Sequence, residues 1–99
     1  MIEIMNLRND KPTELYDFKV DRTTPLGNRF NMQSEFDRNS VCIEYDNYFP
    51  TLIANKLPSI YFSQILSAYR KYGKVRLFCW CFPKRCHAET IKRTLEEWK

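Results

Sequence analysis

Val75-Arg76-Leu77-Phe78-Cys79-Trp80-Cys81 is the stretch on which the fold turns. Val75, Leu77, Cys79 and Cys81 alternate with Arg76, Phe78 and Trp80, so the segment reads as a strand with two distinct faces. Much of both faces is apolar, which places such a strand near the middle of a sheet. Pro83 stops it. Lys84-Arg85-Cys86-His87 follows at once, so this short region holds three of the four cysteines and the only histidine.

Outward from that strand, the chain reads as α/β packing. Before it, Phe62, Ile65, Leu66 and Tyr69 keep the i, i+3, i+4, i+7 spacing of a buried helical stripe. Ser59 is the expected cap of that helix. Arg70 and Lys71 suit its C-terminal dipole, and Gly73 suits the position just past its end. An earlier helix is expected from Ser34-Glu35-Phe36-Asp37, a capping serine followed by acidic residues. Phe36, Val41, Tyr45, Tyr48, Phe49 and Leu52 would line its buried face, and Pro50 is expected to end or kink it near Phe49. Ile2 to Asn6 and Tyr16 to Asp21 carry the period-two alternation of strands. Between them, Asn9-Asp10-Lys11-Pro12 is turn chemistry. Gly27, in the loop Arg22 to Phe30, is a candidate for positive φ. After the central strand, a last helix opens around Cys86 or His87. Ala88, Ile91, Leu95 and Trp98 give it a packing face, with Glu89 and Arg93 as an i, i+4 ion pair. The fold class expected is α/β: one compact domain over residues 1–99, with a small three- or four-stranded mixed sheet and helices packed on it.

The 99 residues carry a formal net charge of +4, which permits an anionic partner without demanding one. No apolar run approaches the roughly 18 residues needed to span a membrane, and Met1-Ile2-Glu3-Ile4 lacks the features of a signal peptide. The expected location is cytoplasmic and reducing, where thiols or metal ligands are commoner than disulfides. Cys42 is read as a small core side chain, and Trp80 and Trp98 as core residues.

Three chemistries fit the region from Cys79 to His87. A loop folding back over the strand end would bring Cys79, Cys81, Cys86 and His87 together as a zinc set, although their spacing differs from that of common zinc modules. Alternatively, Cys86 at a helix start, beside Lys84 and Arg85, would have its thiolate stabilised by the dipole, and His87 would act as acid or base. In the third reading the cysteines are core residues and no cofactor is involved. The loop Arg22 to Phe30 crowds polar donors at the end of a strand, where open α/β sheets place ligands. Arg70, Lys71, Lys74 and Arg76 gather around one helix end and leave nucleic acid as a weaker partner class.

Taken together, Asn6-Leu7-Arg8, Val20-Asp21-Arg22, Gly27-Asn28-Arg29-Phe30, Cys79-Trp80-Cys81-Phe82-Pro83 and Cys86-His87 resemble an uncharacterised family of small bacterial and phage domains. That family has a Gly-Asn-Pro-Phe turn and a Cys-Trp-Cys…Pro…Cys-His signature. The chain departs from it at Asp21, Arg29, Ala88 and Glu89, where the family pattern has Gly, Pro, Gly and Asp. The resemblance carries no established activity. It implies that the two motifs meet in one cleft, and that a phage-encoded chain would work in the host cytoplasm.

The leading expectation is a site for an anionic small molecule such as a nucleotide. Arg8, Arg22, Asn28 and Cys81 would bind it, backbone N–H groups near His87 would meet its phosphate, and Cys86 or His87 would supply any chemistry. The alternative is a non-enzymatic phage protein that binds and inhibits a host or anti-phage defence protein.

Overall fold

A computed structural model describes residues 1–99. The strand at the centre of the sequence reading spans Val75–Cys79 (β3) and lies between Ile2–Asn6 (β1) and Asp17–Lys19 (β2), in the order β1-β3-β2. Leu77 pairs with Ile4 on one side and Phe18 on the other. Its place follows from its side chains: Val75, Leu77 and Phe78 are fully buried and Cys79 is nearly so. Arg76 is the polar exception. Its guanidinium donates to both oxygens of Asp17 at 2.6 and 2.7 Å, an ion pair across the β2–β3 pairing.

Both strand pairings are parallel, so the sheet is parallel where a mixed one was expected. The cause is connectivity. Leu7 to Tyr16 returns the chain to the starting end of the sheet before β2. Two helices, Arg38–Leu52 (α1) and Lys56–Tyr72 (α2), do the same before β3. A parallel pair requires such a crossover. The second strand is shorter than its alternation predicts, but the Val20 N–H still donates to the Phe78 carbonyl at 2.9 Å.

The helices depart from expectation mainly at their starts. Ser34 makes no side-chain cap. A short 3-10 turn, Glu35–Asp37, precedes α1, and the Asp37 carboxylate accepts the Gln33 N–H at 3.1 Å. This turn breaks the helical phase, so Phe36 is 96% exposed instead of buried. Pro50 sits inside the last turn of α1, and the helix closes beyond it through Ile53 N–H to Phe49 O at 3.0 Å. The second helix begins at Lys56, with Asn55 and not Ser59 at the N-cap position and no side-chain cap; Pro58 lies in its first turn, where a missing N–H costs little. Phe62, Ile65, Leu66 and Tyr69 are buried as expected, and Gly73 ends the helix at φ 69°. The last helix, Ala88–Trp98 (α3), buries Ala88, Ile91 and Leu95 completely. The Glu89–Arg93 pair does not form. Glu89 accepts the Cys86 N–H at 3.2 Å, and Arg93 bonds Asp46 of α1.

Gly27 does not have positive φ. Its role is close approach. A Cβ there would lie 2.5 Å from Arg22 Cα and 2.6 Å from the Asp21 carbonyl oxygen.

Candidate functional site

Beyond Cys79 the chain leaves the sheet. The Lys84 N–H donates back to the Cys81 carbonyl at 2.9 Å, and this turn delivers Cys86 and His87 to the start of α3. The side chain of Asn6 secures the turn by donating to the Phe82 carbonyl at 2.6 Å.

The loop after β2 meets that turn through His87. His87 Nε2 bonds the Val20 carbonyl, so Nε2 carries the proton and Nδ1 is an acceptor. Cys86 Sγ lies 3.4 Å from Nδ1, within reach for its thiol to donate. Burial, reinforced by the positive field of Arg22, holds the His87 pKa below its ordinary value against the pull of the Val20 carbonyl. His87 is therefore a neutral imidazole that ties the two motifs together.

Within the loop, Asp21 is buried. Burial pushes its pKa up, but the Thr23 hydroxyl, the Trp80 indole N–H at 3.0 Å and the Thr23 N–H outweigh that and leave it below the usual carboxylate range. Asn28 Oδ1 accepts the Phe30 N–H at 2.9 Å, and its amide donates to the Val41 carbonyl at 3.4 Å. Leu26 anchors the loop: its side chain is fully buried, and its carbonyl accepts the Tyr45 hydroxyl at 2.7 Å.

A cavity of about 500 Å³ opens between this loop, the start of α1 and the turn after β3. Arg22, Asn28, Cys81, Cys86 and His87 all line it, so five of the sequence-singled residues come together. Arg8 does not line it; it is exposed beside Asn6, whose Oδ1 accepts its N–H at 2.8 Å. Sequence reasoning missed Arg38 and Trp80. Arg38 reaches the cavity only because α1 starts there, and nothing in its own neighbourhood signals it. Trp80, expected in the core, is 52% exposed on the cavity wall with its N–H fixed by Asp21. The signal available was the outward phase of the strand at Trp80.

The surroundings move the thiol pKa values in opposite directions. Cys81, half-buried on the cavity wall, is pulled down to about 5, chiefly by the Cys86 thiol; burial opposes this, and the Arg38 guanidinium adds to the pull. Cys79 is drawn down to about 7, again chiefly by Cys86. Cys86 is held protonated, its pKa raised by Cys79, by Cys81 and by burial. The downward pull expected at Cys86 from the helix start falls on Cys81 and Cys79. Cys42 is a buried thiol raised by desolvation, in keeping with a core role.

Two of the N–H groups expected to meet a phosphate are already engaged. Glu89 takes the Cys86 N–H, and the Ala88 N–H faces Cys86 sulfur. Arg22, Arg38 and Arg85 are the cations that face the cavity. The four-ligand zinc set is not assembled. Both nitrogens of His87 are committed, and no group of three metal-ligating side chains has an arrangement that could hold an ion. The basic residues around the end of α2 are largely engaged: Arg70 with the Trp98 carbonyl, Lys74 with Glu3, Arg76 with Asp17. No helix is long and apolar enough to cross a membrane.

A family profile described as a domain of unknown function (DUF4326) matches residues 5–97. No curated protein and no solved structure matches the chain.

Proposed function

We propose that this chain, which belongs to the DUF4326 domain family, binds an anionic small molecule of the nucleotide class in the cavity between the Arg22–Phe30 loop and the Cys86–His87 turn. The observation that carries the reading is the union of three arginines with an exposed indole around one cavity of ligand size. Arg22 and Arg85 offer guanidinium donors to phosphate or carboxylate oxygens, the geometry for which arginine is best suited. Arg38 is partly neutralised by Glu35, at 2.9 Å, and by Cys81. Trp80, its indole N–H pinned by Asp21, presents a ring face on which a base could stack. Asn28 shapes the loop, and any chemistry falls to the thiols and His87 on the wall.

The test is calorimetric titration with nucleoside mono- and diphosphates, and with inorganic phosphate alone. Arg22→Ala and Arg85→Ala should each weaken binding about tenfold or more, the range for lost charged hydrogen bonds, while leaving the melting temperature within a few degrees. Unchanged affinity in both variants would refute the reading.

The alternative is a non-enzymatic, phage-derived protein that binds and inhibits a host or defence protein. It is favoured by exposed Phe36, Trp80 and Phe82, on segments joined by the Lys84–Glu35 ion pair at 3.2 Å. A stoichiometric partner whose binding is lost in Phe36→Asp, with no nucleotide bound by the wild type, would decide for it.

A further inference from the structure

A second, smaller cavity of about 270 Å³ adjoins the one already described. Arg22, Thr24, Gly27, Asn28 and Arg29 line it, without a hydrophobic side chain or a carboxylate among them. Arg22 and Asn28 line both cavities, so the two meet at these residues.

The cavities differ in charge balance. On the wall of the larger one stands the Asp21 carboxylate, and its Arg38 is paired with Glu35 at 2.9 Å. The smaller one has two guanidiniums, and none of the protein's ion pairs uses Arg22 or Arg29. Both are held by neutral partners instead. Arg22 Nη2 donates to the Phe30 carbonyl at 3.1 Å. Arg29 Nη1 donates to the Tyr48 hydroxyl at 3.0 Å, and its guanidinium carbon stands 5.0 Å from the centre of the Tyr48 ring. One bond apiece leaves most of the N–H groups of each guanidinium for an anion. Side chains already ordered in this way lose less freedom when they bind.

The neutral groups of the small cavity are spoken for. The Thr24 hydroxyl donates to the Asp21 carbonyl at 2.9 Å, and the Asn28 amide to the Val41 carbonyl at 3.4 Å. Recognition there falls to the two arginines, which select for charge and for the fork geometry of phosphate oxygens.

We propose that this polar cavity is the subsite for a terminal phosphate, which makes the ligand a nucleoside diphosphate; the inference rests on the nucleotide reading of the larger cavity. The base lies on Trp80, the first phosphate meets Arg22 and Arg85, and the second meets Arg22 and Arg29. Arg22 bridges the two phosphates because it lines both cavities. The Asp21 carboxylate repels the more highly charged end of the ligand, so that end lies in the cavity with no acid of its own.

The experiment is calorimetric titration, at fixed salt and without divalent cations, with the 5′-monophosphates of adenosine, guanosine, cytidine and uridine, each against its 5′-diphosphate. Wild type should bind the diphosphate of its preferred base about tenfold or more tightly than the monophosphate, the range for added charged hydrogen bonds. Arg29→Ala should abolish that difference and leave monophosphate affinity unchanged. Arg29→Met, which keeps an apolar stem over Tyr48, should give the same result and separates lost charge from lost packing. Arg85→Ala should weaken both ligands alike and preserve their ratio. Equal affinity for mono- and diphosphate in wild type, or a preference that survives in both Arg29 variants, would overturn the subsite while the nucleotide reading stands. Absence of binding by every mono- and diphosphate would overturn the nucleotide reading, and the subsite with it.

Discussion

Gly27→Ala adds one methyl group to a loop that has no room for it. The new Cβ would lie 2.5 Å from Arg22 Cα, 2.6 Å from Asp21 O and 2.9 Å from Arg22 N, all backbone atoms. Ordinary contact begins near 3.4 Å, so the two sides of the loop must separate by close to 1 Å. They are not free to do so. Gly27 N–H donates to Thr24 O at 3.1 Å, Thr24 hydroxyl to Asp21 O at 2.9 Å, and Leu26 is pinned by Tyr45. Overpacking of this kind costs about 1–3 kcal/mol. At about 4–8 °C per kcal/mol for a domain of this size, the melting temperature should fall roughly 5–20 °C. The sign is diagnostic, because an unstrained Gly→Ala change stabilises by about 0.4–1 kcal/mol through the unfolded chain. Urea titration gives the measurement: the midpoint should drop with the slope unchanged. A Gly27→Ala protein as stable as wild type, or more so, would refute the close-approach argument. Gly73→Ala is the contrasting case, with open space around the Cβ but φ at 69°; it should cost about 1 kcal/mol, and Gly73→Asn should cost less.

Other consequences follow from the same contacts. Tyr45→Phe leaves the buried Leu26 carbonyl without its donor and should cost about 1–3 kcal/mol by urea denaturation; a neutral result would contradict that bond. Asp21→Asn places an amide against the Trp80 indole N–H, so Trp80 emission should shift to the red as the ring is freed; an unchanged spectrum would mean Asp21 does not position the ring. His87 has a folded pKa below its unfolded value near 6.5, so the unfolded chain binds its proton first. Stability from this group is complete above about pH 6.5 and is lost as pH falls below it. His87→Asn should flatten stability between pH 6.5 and 5, and a slope that survives the substitution would assign it elsewhere. The carboxylates Asp17 and Asp21, both lowered, lose their contributions only at more acid pH, below the ordinary carboxylate value.

Much of the fold is legible in the sequence because its signals are local. Alternation with two apolar faces marks Val75–Cys79 as the central strand. The spacing of Phe62, Ile65, Leu66 and Tyr69 marks a buried helical face, and Gly73 marks its end. Periodicity and turn chemistry are properties of neighbours along the chain, so they can be read without knowing what lies across the core. The meeting of the Arg22–Phe30 loop with Cys81, Cys86 and His87 was likewise anticipated, from a strand end and from the resemblance of the two motifs to one family.

What needed the tertiary structure is what neighbours in space decide. The parallel direction of the sheet depends on how far Leu7 to Tyr16 travels before β2, which composition does not record. Phe36 and Trp80 are exposed because a 3-10 turn shifts one and an indole hydrogen bond to Asp21 holds the other outward. The thiols are the sharpest case. A helix start argued for a lowered Cys86, yet the surroundings pull Cys81 down, chiefly through the Cys86 thiol and further through Arg38 from a distant helix, and push Cys86 up through Cys79, Cys81 and burial. Desolvation and Coulomb interaction act through space over a few ångströms. The sequence alone therefore specifies which residues carry sulfur, and only their packing specifies which thiol is pulled down and which is pushed up.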